Sequence, residues 1–138
     1  MDYLRLKVIT PKKIVLDEEI ISATVPTSSG EVTILPHHAK LFSIVTEGII
    51  KIKKKDGEDY FSVGGGFLET DGKELSILVS RAYGQDEIDE KLIARATEQA
   101  KKILSISKDG NERAEALSLL RRSFIDSKLI KKRKSRNL

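Results

Sequence analysis

The run Ile50-Lys51-Ile52-Lys53, followed at once by Lys54-Lys55-Asp56-Gly57, decides how this chain is read. Apolar and charged side chains alternate with period two, the spacing of a strand buried on one face and wet on the other. Asp-Gly after such a run predicts a tight hairpin turn with positive φ at both central residues. The same grammar recurs on either side. Leu4, Leu6 and Val8 alternate with Arg5 and Lys7, and Ile21, Ala23 and Val25 with Ser22 and Thr24. Leu75, Ile77 and Val79 alternate with Ser76 and Ser80, and further turn signals stand at Ser29-Gly30, Glu47-Gly48 and Asp71-Gly72. Short strands with frequent turns predict an antiparallel β-sandwich or barrel.

The pattern stops near Gly84. Residues 1–84 hold all three prolines, eight of nine glycines and six of seven aromatics, with 11 basic and 12 acidic residues. Residues 85–138 hold no proline, one glycine (Gly110), one aromatic (Phe124), and 14 basic against 9 acidic residues. The expected organisation is therefore β + α: a β-sandwich domain over 1–84, then a two-helix antiparallel hairpin over 85–138. Asp86, with Asp89 three residues on, is the expected cap of the first helix. Gly110 is the expected left-handed C-cap and Asn111 the cap of the second helix. The apolar stripes are thin, Leu92, Ala96, Ala100 and Ile103 on one helix and Leu117, Leu120 and Phe124 on the other. Alanine buries little apolar area, so the hairpin is expected to be weakly held and able to move.

Composition excludes much chemistry. The 138 residues contain no Cys, which removes thiol nucleophiles, disulfides and thiolate metal sites. The only two His, His37 and His38, are adjacent on a loop after Pro36, too few for a histidine-built metal site, so no metal and no catalytic residue is expected. Glu18-Glu19 and Glu58-Asp59 are neighbours on strands and point to opposite faces, so they form no acid/base pair. Gly64-Gly65-Gly66 is followed by strand-like Phe67-Leu68-Glu69-Thr70, not a helix N-terminus, and predicts a bulge or close backbone approach, not a phosphate loop. No apolar run approaches the ~18 residues needed to span a bilayer. The opening Met1-Asp2-Tyr3-Leu4-Arg5 lacks a secretory or transit pattern, which predicts a cytoplasmic setting.

The tail is distinctive. Lys128, Lys131, Lys132, Arg133, Lys134 and Arg136 fall within the last 11 residues with no acid among them. Such a cluster reads either as a solvated helix end that complements the dipole or as a hand for an acidic surface. Nucleic acid, anionic lipid and an acidic protein patch all answer to it.

Gly30-Glu31, then Ile34-Leu35-Pro36-His37-His38-Ala39, Leu41 and Gly48 before an Ile-rich strand, resembles the first recurrent block of the epsilon subunits of F-type ATP synthases. Gly65-Gly66-Phe67-Leu68-Glu69 resembles their next block at the expected distance, and a polar helical hairpin from Ile88-Asp89 completes the order. The resemblance implies a sandwich of about ten strands and a regulatory two-helix domain in a non-catalytic subunit. It implies a place in the central stalk, bound to the gamma subunit and touching the membrane rotor ring of c subunits. There the subunit couples ion-driven rotation to ATP synthesis. Through its helices it also restrains hydrolysis by contact with the catalytic beta and alpha subunits. The ring contact implied falls on the Ser29–His38 loop, with Glu31, His37 and His38 as candidates; the inhibitory contact falls on the basic tail. The implied location is peripheral, on the cytoplasmic face of a bacterial membrane or on a plastid thylakoid. Thr33 replaces the glycine usual in the first block. Some members bind ATP through Ile/Leu-Asp, two residues, then Arg-Ala; here Ile88-Asp89 is followed by Arg95-Ala96 three residues late. That offset is about 300° around the helix and about 4.5 Å along it, and it predicts weak or absent ATP binding and no cofactor. The alternative reading is a nucleic-acid-binding module with a basic helical arm. Against it, Tyr60, Phe61 and Phe67 lack a matching basic platform.

Overall fold

The computed structural model describes residues 2–87 and 89–136, with Asp86 and residues 133–136 described by their backbone alone. Two compact units divide the chain between residues 85 and 86. The first holds β1 (Leu4–Ile9), β2 (Ile14–Ile20), β3 (Ser22–Thr27), β4 (Gly30–Ile34), β5 (Leu41–Val45), β6 (Gly48–Lys54), β7 (Gly57–Val63), β8 (Gly66–Thr70), β9 (Glu74–Val79) and β10 (Ala82–Gly84). The second holds α1 (Glu90–Ile106) and α2 (Gly110–Arg136), after a single 3-10 turn at Gln85–Glu87.

The strands pair in the order β10-β7-β6-β3-β5-β8-β9-β1-β2, with β4 branching from β3. β3 is the corner: Ser22–Thr24 pair with β6, and Thr27 pairs with Val45 of β5. The alternation read from sequence decides what faces inward. Leu4, Leu6, Ile50, Ile52, Leu75 and Ile77 are wholly buried in one core. The lysines between Ile50 and Ile52 and after it point out, and Lys51 and Lys53 are exposed.

Every ladder is antiparallel except β1–β9, which is parallel. Strands so far apart in the chain are joined by no hairpin, so residue alternation carries no information on their direction. The β6–β7 turn also departs from expectation. Lys54 pairs with Gly57, which leaves Lys55-Asp56 as the turn, and positive φ falls only on Gly57. The triple glycine is a close approach, as expected: a Cβ on Gly66 would collide with the Leu78 carbonyl, and strand β8 follows.

At the sandwich seam, three charges face inward. Glu18 lies opposite Leu6, Asp59 opposite Ile52, and Lys54 ends β6 on the same side as Ile52. Lys54 Nζ contacts Glu18 Oε1 and sits 2.7 Å from Asp59 Oδ2. β2 is an edge strand, and this triad ties it across to β6 and β7 without backbone pairing. Inward charges of this kind also blunt an edge against further pairing. Burial works against the ammonium, but hydrogen bonds and charge from Asp59 and Glu18 outweigh it and hold Lys54 above the ordinary lysine range.

The helix caps fall elsewhere than expected. α1 is capped by Asp89, not Asp86: its carboxylate accepts from the N–H groups of Lys91 (2.9 Å) and Leu92 (3.4 Å). Gly110 has no positive φ and is the first residue of α2, while α1 closes at Ser107, whose N–H donates to the Ile103 carbonyl. Asp109 takes the capping place before α2, accepting from the Asn111 N–H at 2.9 Å. Asn111, two residues further on, already lies inside α2, where its own N–H is one of the groups to be capped.

α1 and α2 pack as a hairpin. In α2, Ala116 and Ser123 are buried while Leu117 and Phe124 are 52% and 60% exposed. The buried side thus lies one residue, about 100°, from the expected stripe. Ile125, Leu129 and Ile130 are buried as well, so toward its end α2 covers large apolar side chains that lie outside the expected stripe.

Candidate partner-binding surfaces

The outward face of β5, β8, β9, β1 and β2 is zoned. Strand register places Ile44, Phe67, Leu78, Ile9 and Ile14 in a single row, one per strand. The end members are well exposed, Ile44 at 59% and Ile14 at 58%, with Phe67 at 40% and Leu78 and Ile9 half-buried between. At ~4.8 Å between strands the row runs about 19 Å. The next row is Phe42, Glu69, Ser76, Lys7 and Asp17, mixed in character, and beyond it Arg5 bonds Asp17 at 2.8 Å. Phe42 extends the apolar zone on β5, 64% exposed, its ring 5.4 Å from that of Phe67. An apolar strip bordered by polar side chains on a sheet that already has its own core is the mark of a protein interface.

This surface was missed by reading alternation alone, yet a signal was present. Ile9 after Val8, Leu78 between Ile77 and Val79, and Phe67 before Leu68 each put an apolar residue where the period calls for a polar one. The register gathers these exceptions in one line.

Of the ring-contact candidates, Glu31 is exposed on β4, a strand paired only with β3, and lies opposite Pro26. His37 and His38 lie on the connection from β4 to β5, where the His38 N–H donates to the Leu35 carbonyl at 3.2 Å. Pro36 and His37 are the central residues, and His37 has φ 67°, the pattern of a type II turn in which glycine is the usual third residue. Two contacts hold His37 there. Its N–H donates to the Gly72 carbonyl at 2.8 Å, and its Nε2 lies 3.0 Å from Asp2 Oδ2. Gly72 has φ 96°, and a Cβ on it would stand 2.8 Å from the His38 carbonyl oxygen, so the β8–β9 turn seats tightly against the histidine turn. Asp71 shapes that second turn by accepting from Glu74 and Lys73 N–H at 2.9 Å each, which holds its carboxyl below the usual range. The structure joins His37 to Asp2 and Gly72; Glu31 makes no polar contact among the described residues.

In the hairpin, Lys128 Nζ stands 4.7 Å from the centroid of the Phe124 ring, and Lys128, Lys131 and Lys132 are exposed. Arg133, Lys134 and Arg136 continue the helical backbone, their side chains lying outside the description. Of the nucleotide-motif residues, Ile88 lies outside the described residues. Asp89 is engaged as the α1 cap, and Arg95 is exposed on α1. An open groove of about 840 Å³ between the helices is lined by Thr97, Lys101, Leu117, Leu120, Arg121 and Phe124 among others. The aromatics of the rival nucleic-acid reading do not share a face. Phe61 points into the core, Phe67 lies in the apolar row, and Tyr60 donates to Glu58 at 2.9 Å. No described helix is long and apolar enough to cross a membrane.

Residues 3–85 match the beta-sandwich domain of the ATP synthase delta/epsilon chain. The ATP synthase epsilon chain of Dehalococcoides mccartyi is 35% identical over 138 residues, covering 97% of this chain and 96% of that one. That of Moorella thermoacetica is 33% identical over 124 residues, covering 89% and 92%. Among solved structures, a chain of the Euglena gracilis mitochondrial ATP synthase (OSCP/F1/c-ring) superposes with TM-score 0.75 at 25% identity, covering 86% of this chain and 75% of that one. A chain of the Tetrahymena thermophila mitochondrial ATP synthase central stalk/c-ring has the same fold, with TM-score 0.59 at 16% identity over 89% and 95% of the two chains. The chain belongs to the ATP synthase epsilon chain family.

Proposed function

We propose that this chain is the central-stalk subunit that couples the membrane rotor ring to the gamma subunit, without catalytic chemistry of its own. The observation that carries the reading is the apolar row, an interface strip on a domain whose core is already complete. Gamma is the partner that the family resemblance supplies for it. The turn built on Pro36-His37, with Glu31 nearby in sequence, offers polar groups for the ring. A subunit of this kind is peripheral, held at the membrane by the ring rather than by a span of its own.

The hairpin serves regulation in this proposal. Its exposed Leu117 and Phe124, with Lys128 and Lys131 beyond them, can meet the beta and alpha subunits when it extends. The test of the stalk role is a pull-down with the purified gamma subunit. Wild type is expected to form a stable 1:1 complex, and Ile44→Ser with Phe67→Ser to lose it while keeping the thermal transition of the sandwich. Equal capture of the double variant contradicts the assignment of this face. Salt-dependent capture of RNA or DNA instead of gamma favours the nucleic-acid module.

A further inference from the structure

The apolar strip also says what shape of partner it takes. Its exposed side chains are set one per strand, in line across the strands. Along a single strand the outward neighbour is polar in most cases: Glu69 after Phe67, Ser76 before Leu78, Lys7 before Ile9. Only β5 carries two outward apolar residues, Phe42 and Ile44. An extended segment lying along any one strand would therefore meet one apolar side chain and then a polar one. A helix lying across the strands meets an apolar side chain at every turn. Its pitch of ~5.4 Å is close to the ~4.8 Å between strands. Covering the row takes about 19 Å, or about 13 helical residues at 1.5 Å each.

Charge selects the flank. Lys12 and Lys13 are exposed in the turn between β1 and β2, next to Ile9 and Ile14, and neither has an ion-pair partner among the described residues. A partner with acidic residues on that side gains attraction there without displacing an internal pair.

We infer that the row receives an amphipathic helix of the partner, lying across β5, β8, β9, β1 and β2, with its apolar stripe on Ile44 through Ile14 and acidic residues toward Lys12 and Lys13. The identity of the partner as gamma rests on the stalk reading; the helix and its direction do not.

The experiment places a photo-crosslinking amino acid singly at Ile44, Phe67, Ile9 and Ile14 in the full chain, assembles the synthase, and maps the crosslinked gamma residues. The expected products advance along one gamma segment by three or four residues per strand, spanning about 13 residues from the Ile44 product to the Ile14 product. Crosslinks to gamma spaced two residues apart, or scattered over separate segments, overturn the helix while leaving the stalk role intact. Crosslinks to α1 or α2 of the same chain, to a second copy, or none to gamma overturn both. Lys12→Glu and Lys13→Glu should each weaken gamma binding by up to about fivefold at low salt, less as salt rises. Unchanged affinity at low salt overturns the acidic flank.

Discussion

Replacing Lys54 by Ala tests whether the sandwich is closed by side chains at its open edge. Lys54 is 22% exposed, and its partners Glu18 and Asp59 are 36% and 35% exposed. Fully buried pairs cost about 3–5 kcal/mol to break because a charge is stranded. Exposed pairs contribute about 0.2–1 kcal/mol. A triad covered to this degree lies between, and we take about 2 kcal/mol, since Lys54→Ala strands two carboxylates that face one core. For a unit of this size that is a drop of about 10 °C in Tm. Differential scanning calorimetry reads it, and amide exchange should quicken in β2 while β8 and β9 stay protected, because β2 is held on its other side by β1 alone. The neutral triple variant Lys54→Met, Glu18→Gln, Asp59→Asn should recover most of the loss. The pH dependence has a definite sign. Lys54 is raised in the folded state, so its contribution is complete below the unfolded value near ~10.4 and fades as pH climbs through the folded value. A Lys54→Ala transition within about 2 °C of wild type, with unchanged β2 exchange, refutes the clasp.

Three further outcomes are expected. Deleting residues 128–138 should raise ATP hydrolysis by the assembled complex at low salt without impairing assembly, whereas single Lys→Ala changes there should do little; unchanged hydrolysis in the deletion leaves the tail a solvated helix end. Calorimetry with millimolar ATP should show weak or no binding to the isolated chain, since the Asp89 carboxylate caps α1 and Arg95 lies a turn beyond its motif place; micromolar binding lost in Arg95→Ala contradicts this. Cysteines at Glu31 and on the polar loop of the ring should crosslink in the assembled enzyme; persistent failure to do so moves the ring contact elsewhere.

The sandwich was legible because period-two alternation states directly which side chains face the core, as Ile50 and Ile52 against Lys51 and Lys53 show. The parallel β1–β9 ladder was not, since pairing direction between distant strands leaves no trace in local periodicity. The caps of α1 and α2 slipped because Asp86 and Asp89, and Asp109 and Asn111, are chemically competent rivals within one turn, and only backbone geometry chooses between them. His37 and His38 were visible as polar loop residues. The positive φ of His37 was hidden because a position that usually takes glycine is filled by a side chain fastened to Asp2. The apolar row was written in the sequence only as scattered breaks in alternation, which acquire meaning when register stacks Ile44, Phe67, Leu78, Ile9 and Ile14 together.

The most direct measurement is affinity purification of the tagged full chain from its own membranes in mild detergent, with quantification of what accompanies it. A stalk subunit should bring down gamma and the ring of c subunits in fixed proportion, and a chain carrying Ile44→Ser and Phe67→Ser should lose gamma. Recovery of the wild-type chain without gamma, under conditions that keep the rest of the synthase assembled, would contradict the account.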